Sequence, residues 1–159
     1  WTPFMPVGKK FVFAYRGEAG QFFPYDDSPI PQYERYRLGG DRTIRGFPYY
    51  TILPRTAEGF YFLSPGGSRL GGDRYWLTNF EFQFRIGGPV KLVAFFDAGN
   101  TYAEEQGWDL ELWRRSTGLE MRIFLTIFQA HIRFIYGVNL DPYPDEESSD
   151  FSFSIGTTF

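Results

Sequence analysis

Residues 79–85 read Asn-Phe-Glu-Phe-Gln-Phe-Arg, a strict alternation of polar and aromatic side chains. Successive side chains of a β-strand point to opposite faces of the sheet, so this period of two predicts a strand with one aromatic and one polar face. The polar face carries both signs of charge, through Glu81 and Arg85. Such a strand fits either a membrane barrel, whose apolar face meets lipid, or a small soluble barrel with its apolar face inward.

The same alternation recurs along the chain and predicts six strands, at residues 9–24, 74–87, 89–102, 114–127, 129–140 and 149–159. Residues 25–73 form by far the longest connection, while 103–113 and 141–148 are shorter polar loops. Tight turns that alternate with longer loops are typical of outer-membrane barrels. The side chains that this pattern places toward lipid are Phe80, Phe82, Phe84, Leu119, Met121, Ile123, Leu125, Ile132, Phe134 and Phe153.

The composition excludes several classes of protein. A net charge of −3 argues against nucleic-acid binding, and the lack of cysteine removes disulfides and thiolate chemistry. The longest apolar run, residues 92–96, is far shorter than the roughly 20 residues of a membrane-spanning helix. Aromatic residues make up 21% of the chain, which suits the aromatic girdles of membrane barrels. Residues 1–6 do not resemble a signal peptide, so we expect either a removed leader or a piece of a longer protein.

The sequence offers no catalytic constellation. His131 is the single histidine and lies on the polar face of a predicted strand, where hydrogen bonding is a commoner role than catalysis. No nucleophile motif or phosphate-binding glycine loop accompanies it. Glu120 and Arg122 share one polar face and are predicted to form an ion pair in the lumen. The acids of 141–150, including the run at 145–147, lack the spacing of a calcium loop and are predicted to face solvent. We expect no enzymatic activity, metal or cofactor.

Six strands are too few to close an outer-membrane barrel, because the smallest of these have about eight. An open sheet edge in lipid leaves backbone groups without hydrogen-bond partners. The predicted fold is therefore an all-β, antiparallel transmembrane β-barrel, of which residues 1–159 form the C-terminal portion. The alternative is a short chain that pairs its edges with other copies.

The long connection and the segments after it carry several motifs in a fixed order. They are Gly39-Gly40, Ile44-Arg45-Gly46-Phe47, Asn79-Phe80-Glu81-Phe82, Ala94-Phe95-Phe96-Asp97-Ala98-Gly99-Asn100, Ser116-Thr117-Gly118-Leu119 and the segment Phe151 to Phe159. Together, over residues 9–159, they resemble the last six strands of the BamA-like outer-membrane assembly family, in the outer-membrane protein 85 (bacterial surface antigen) superfamily.

The resemblance implies a barrel of about 16 strands, at whose lateral seam nascent outer-membrane proteins are folded and inserted without covalent chemistry. It implies that Arg45 reaches from the long loop into the lumen and pairs with Glu81 and Asp97 on the barrel wall. It also implies a C-terminal strand signal. The residues of that signal are Phe151, Phe153, Ile155, Gly156 and Phe159.

The same resemblance implies an outer-membrane location in a Gram-negative-type bacterium, with an organelle outer membrane as the second choice. The partners that it implies are outer-membrane lipid, unfolded outer-membrane protein clients and accessory assembly proteins. The rest of the parent barrel, or other copies of the chain, would complete the sheet. No nucleic acid is expected.

Three other functions fit parts of the pattern. A polypeptide-secretion transporter of the same superfamily shares the Arg-Gly-Phe loop, although the Phe-Phe-Asp-Ala-Gly-Asn strand favours the assembly branch. A passive outer-membrane pore does not need a loop docked inside its wall. A soluble lipid-binding barrel would place Phe80, Phe82 and Phe84 in its interior and would partition into buffer rather than detergent.

Overall fold

The computed structural model describes residues 3–8, 10–23, 30–127 and 129–156, whose strands form one antiparallel sheet in chain order. The strands are β1 (Phe4–Val7), β2 (Phe11–Gln21), β3 (Arg74–Gly87), β4 (Val90–Tyr102), β5 (Arg114–Leu125), β6 (Ala130–Asn139) and β7 (Ser149–Gly156). One turn of 3₁₀ helix covers Glu104–Gln106. Within the described ranges, no helix reaches the length and hydropathy needed to span a bilayer.

Six of these strands correspond to the predicted ones, and β1 is an addition that the sequence reasoning missed. Its residues, Phe-Met-Pro-Val, lack the polar alternation of the other strands, and Pro6 weakens a strand signal because it cannot donate a ladder hydrogen bond. β1 nevertheless pairs with β2, from Phe4 opposite Ala14 to Val7 opposite Phe11. Residues 157–159, which include the predicted signal residue Phe159, lie outside the described residues.

The two faces of the sheet differ in exposure, and we name them by their side chains. The outer face carries Phe80 and Phe82, and the register continues it through Phe96, opposite Phe80, and through Leu119, opposite Ala94. All ten side chains predicted to meet lipid lie on this face, exposed or half-buried. The inner face carries Glu81 and is buried.

The loop of residues 30–73 packs against the inner face. Its apolar side chains Leu38, Ile44, Phe47 and Ile52 form a buried cluster with Leu77 of β3. The loop carries isolated β-bridges, including Leu38 with Ile52 and Tyr36 with Gly72. The loop therefore covers the polar inner face of the described sheet.

An arginine on the outer face should be costly, because the alternation of side chains predicts that this face meets lipid. We expect Phe82→Arg to destabilise the protein by about 2–4 kcal/mol, the range for a charge at the bilayer midplane. Leu63→Arg is the matched control, since Leu63 is 59% exposed on the loop and Phe82 is 46% exposed on the strand. Urea unfolding in lipid vesicles measures both. Equal unfolding midpoints for the two variants would reject the outward assignment of β3.

Candidate functional site

The loop of residues 30–73 contains a compact tip, residues 39–47, which packs against the inner face of the sheet. Gly39 and Gly40 both have positive φ, at 104° and 97°, which glycine adopts without the steric cost of a side chain. The Gly40 amide donates to the Phe47 carbonyl at 2.9 Å and closes the tip. Asn79 of β3 donates to the Thr43 carbonyl at 2.7 Å and ties the tip to the sheet. These contacts hold Arg45 over the middle of the inner face.

Arg45 is 3% exposed and contacts carboxylates on three neighbouring strands. Its Nε and Nη2 donate to the two oxygens of Asp97 on β4, each at 2.7 Å, in a bidentate pair. Its Nη1 donates at 2.7 Å to Glu81 on β3 and at 2.7 Å to Glu120 on β5. The guanidinium also lies 4.0 Å from the centre of the Phe95 ring. The structure therefore brings together Arg45, Glu81 and Asp97, the three residues that the resemblance singled out.

The ion pairs extend beyond Arg45 into a network that also contains Arg122, Arg133 and Asp41. Arg122 donates to Glu81 at 2.5 Å and to Glu120 at 2.6 Å, so the ion pair expected from the spacing of Glu120 and Arg122 is present. Arg133 of β6 donates to Glu120 at 2.6 Å and to Asp41 of the loop at 3.2 Å. Three arginines thus face four carboxylates, and all seven side chains are buried. Buried charges are tolerated only when they are paired and hydrogen-bonded, as they are here.

Sequence reasoning missed the contact of Arg45 with Glu120 and the part played by Asp41 and Arg133. The sequence could have indicated Glu120 and Arg133, because both occupy polar positions in the alternation of their strands. They therefore lie on the same face as Glu81. No such indication existed in the sequence for Asp41, because side chains of a loop do not alternate between two faces.

Two glycines allow the tip to approach the sheet closely. A Cβ atom on Gly137 of β6 would lie 2.4 Å from the Gly46 Cα atom, a distance that real Cβ contacts do not reach. Gly46 itself has φ of 80°, and a Cβ there would lie 3.1 Å from the Gly137 carbonyl carbon. Gly137 is paired with Gly118 of β5, so neither strand places a side chain beneath the tip at this pair. The absence of side chains at these positions brings the tip backbone into contact with the strand backbone.

A second ionic cluster lies at the rim of the sheet, between the long loop and the 140–148 loop. Arg55 donates to Asp145 at 2.9 Å and to Glu146 at 3.0 Å, while Arg114 of β5 also pairs with Glu146. The hydrogen bond from Arg55 lowers the pKa of Asp145, so this contact is complete at neutral pH and is lost only as the pH falls through that lowered value. The prediction that the acids of 141–150 face solvent is therefore wrong for Glu146, which is mostly buried, and right for the exposed Glu147.

The residues of the predicted C-terminal signal lie apart from the network. Phe151, Phe153 and Ile155 are exposed on the outer face of β7, and Gly156 pairs with His131. In the described part of the chain, no group of three or more His, Cys, Asp or Glu side chains has an arrangement that could hold a metal ion. The carboxylates of the network are engaged by arginines instead.

Comparison with known proteins assigns the family. The Omp85 superfamily domain matches residues 2–159. The chain belongs to the Omp85 superfamily. This Omp85 chain is 37% identical, over 91% of its length, to the outer membrane protein assembly factor BamA of Nitratidesulfovibrio vulgaris and covers 18% of that protein. It is 34% identical, over 56% of its length, to the human sorting and assembly machinery component 50 homolog, of which it covers 19%.

Solved structures support the same fold. BamA from Haemophilus ducreyi, in a crystal structure that lacks POTRA domains 1–3, superposes with a TM-score of 0.74 at 18% identity, over 98% of this chain and 33% of that one. The Omp85 chain spans about a fifth of the length of the curated relatives it matches. It is an outer-membrane protein with the fold of a transmembrane β-barrel.

Proposed function

We propose that this Omp85 chain is the C-terminal part of the barrel of an outer-membrane protein assembly factor. In this role it inserts unfolded barrel proteins into the membrane and carries out no covalent chemistry. The proposal is supported by the relatives, two of which are named BamA. The observation that carries it is the buried contact of Arg45 with Glu81, Asp97 and Glu120. A passive pore has no use for a loop that fills its own lumen.

In the proposed mechanism, β7 forms one side of a lateral seam. β7 is an end strand of the described sheet and pairs with β6 along one edge. Free N–H and C=O groups on a strand edge can pair with an incoming strand, which is the basis of β-augmentation. Gly156 has no side chain to pack across the strands, so pairing weakens toward that end. A client strand would add to this edge while lipid meets the outer face.

The loop tip has a supporting role in this mechanism. Through Arg45 and its partners it ties β3, β4 and β5 together, and through Arg133 it reaches β6. Opening is therefore confined to the seam, and the remainder of the wall stays intact while a client is bound. The unfolded clients and the accessory assembly proteins belong to the same proposal.

A reversible cross-link tests the seam. The chain has no cysteine, so Ser152→Cys on β7, paired with a cysteine on the first strand of the complete barrel, would form one defined disulfide. We expect client insertion into vesicles to fall on oxidation and to return on reduction. The control disulfide joins Leu119→Cys and Tyr136→Cys, which lie opposite each other on β5 and β6, where no opening is proposed.

Each outcome separates the possibilities. Unchanged insertion with the seam locked would overturn the seam mechanism, while loss of insertion with the control disulfide would show that any cross-link is harmful. A secretion transporter must instead clear its lumen for the passing chain. A cross-link that holds the loop tip on β6 would stop secretion and leave seam-dependent insertion intact.

A further inference from the structure

Two polar residues of β4 lie on the outer face and yet are buried. The register places Asn100 opposite Trp76, and Tyr102 opposite Arg74, on the same face as Phe80. Asn100 is nevertheless 6% exposed and Tyr102 0%. Both donate side-chain hydrogen bonds to the Leu112 carbonyl, and the Trp76 indole N–H donates to the Tyr102 hydroxyl oxygen at 2.8 Å. Residues 107–113, which we call the flap, therefore fold back over the outside of the sheet.

The flap presents apolar side chains away from the sheet. Trp108, Leu110 and Trp113 are all exposed, and Leu110 is 62% exposed. Two of them belong to an aromatic layer, since the Trp108 ring lies 6.3 Å from the Tyr102 ring and the Trp113 ring lies 6.2 Å from the Trp76 ring. The flap lies over one end of β3 and β4, which are interior strands of the described sheet, with β2 on one side and β5 on the other. Strands added at either edge of the sheet would not cover it.

The flap is continuous with the lipid-facing band of the barrel. Below it on the same face lie Ala98 and Phe96 of β4, then Leu119 of β5, which is exposed. Within the flap, Asp109 accepts a hydrogen bond from the Glu111 amide at 3.1 Å. Beside the flap, Arg115 of β5 lies 5.1 Å from the Trp113 ring and pairs with Asp141 at 2.6 Å. Indole rings prefer the boundary between acyl chains and headgroups, where one end is apolar and the other wet.

We propose that the flap is a membrane-anchoring surface whose partner is the lipid leaflet at this rim of the barrel. Trp108, Leu110 and Trp113 insert at the acyl–headgroup boundary and fix the height of the β4–β5 rim in the bilayer. The acids Glu104, Glu105 and Glu111 are exposed, no basic residue lies within 103–113, and the adjacent Arg115 is paired with Asp141. This charge disfavours capture of an anionic headgroup, so a zwitterionic leaflet suffices.

A site-specific fluorescent label tests the proposal. Single cysteines at Leu110, Leu63 and Phe82 would carry an environment-sensitive dye in the complete protein, reconstituted in phosphatidylcholine vesicles. Leu63 is the matched control, because it is also an exposed leucine in a loop, and Phe82 is the reference for the acyl region. The vesicles carry bromine on the lipid near the headgroup or near the chain end, and iodide serves as the aqueous quencher.

We expect loss of fluorescence from position 110 with bromine near the headgroup, with protection from iodide and a blue-shifted emission. Position 82 should be quenched more strongly by bromine near the chain end, and position 63 only by iodide. If iodide quenches position 110 as fully as position 63 and lipid bromine does not, the flap lies in water and the proposal is overturned. Because all three labels sit on exposed side chains, they leave the core intact and the result does not depend on a refolded core.

Discussion

Arg45→Ala is expected to destabilise the protein by about 3–5 kcal/mol, which is the usual cost of removing one partner from a buried ionic pair. Asp97 would lose three hydrogen bonds, two from the guanidinium and one at 3.0 Å from the Arg45 amide if the tip moves away. Glu81 and Glu120 would keep Arg122, but four buried carboxylates would then face two arginines. We expect a lower urea midpoint in detergent, together with reduced outer-membrane protein levels and poor growth in a strain that depends on this variant.

Two variants sharpen the test of Arg45. Arg42→Ala removes an exposed arginine from the same tip and should leave both stability and growth near those of the wild type. Arg45→Lys keeps the positive charge but lacks the planar fork that meets two carboxylates at once, so it should restore only part of the loss. Growth and unfolding midpoints of Arg45→Ala equal to those of Arg42→Ala would refute a functional role for the network.

The second large effect is expected at Gly137. Gly137→Ala puts a methyl group 2.4 Å from the Gly46 Cα atom, where the obstacle is backbone rather than a flexible side chain. Overpacking of this kind costs about 1–3 kcal/mol, and here the easiest relief is for the tip to lift from the sheet. Gly17→Ala on β2 is the control, because its new methyl group would meet the far end of the Tyr15 side chain, which can move. Urea unfolding measures both variants.

A double-mutant cycle connects the two predictions. If Gly137→Ala acts by lifting the tip, then it removes the same contacts as Arg45→Ala. The double variant should then lose less stability than the sum of the losses of the two single variants. Independent losses that add fully would mean that the methyl group strains β6 itself and leaves the tip seated. The cycle therefore separates an effect on the loop from an effect on the strand.

The alternation of residues was enough to predict most of the sheet. A strand that separates lipid from a polar interior must change side-chain character at every residue, and β3 does so from Asn79 to Arg85. The same rule gave the face of Glu81 and of Glu120 without any structure. β1 was not predicted, because a strand of four residues that contains Pro6 is too short to show the alternation.

The candidate site could be predicted only in part. The motif at Ile44 to Phe47 supplied Arg45 and its two partners, but a short motif says nothing about how many strands the arginine reaches. The size of the network depends on the close contact of Gly46 with Gly137, which brings the tip within reach of β5 and β6. The rim contacts of Arg55 depend on two loops meeting, and loops carry no periodic signal.

The reach of the loop tip has a consequence for how the sheet forms. Asp97 and Glu120 lie on adjacent strands, and the tip also contacts β2, where Arg16 donates to the Arg42 carbonyl at 2.7 Å. A slip of two residues is the smallest error in strand pairing that keeps lipid-facing side chains outside, and it displaces a side chain by about 7 Å. No hydrogen bond to Arg45 survives such a displacement. Docking of the tip therefore favours the correct strand register over a register shifted by two residues. The hydrophobic pattern alone does not distinguish these two registers.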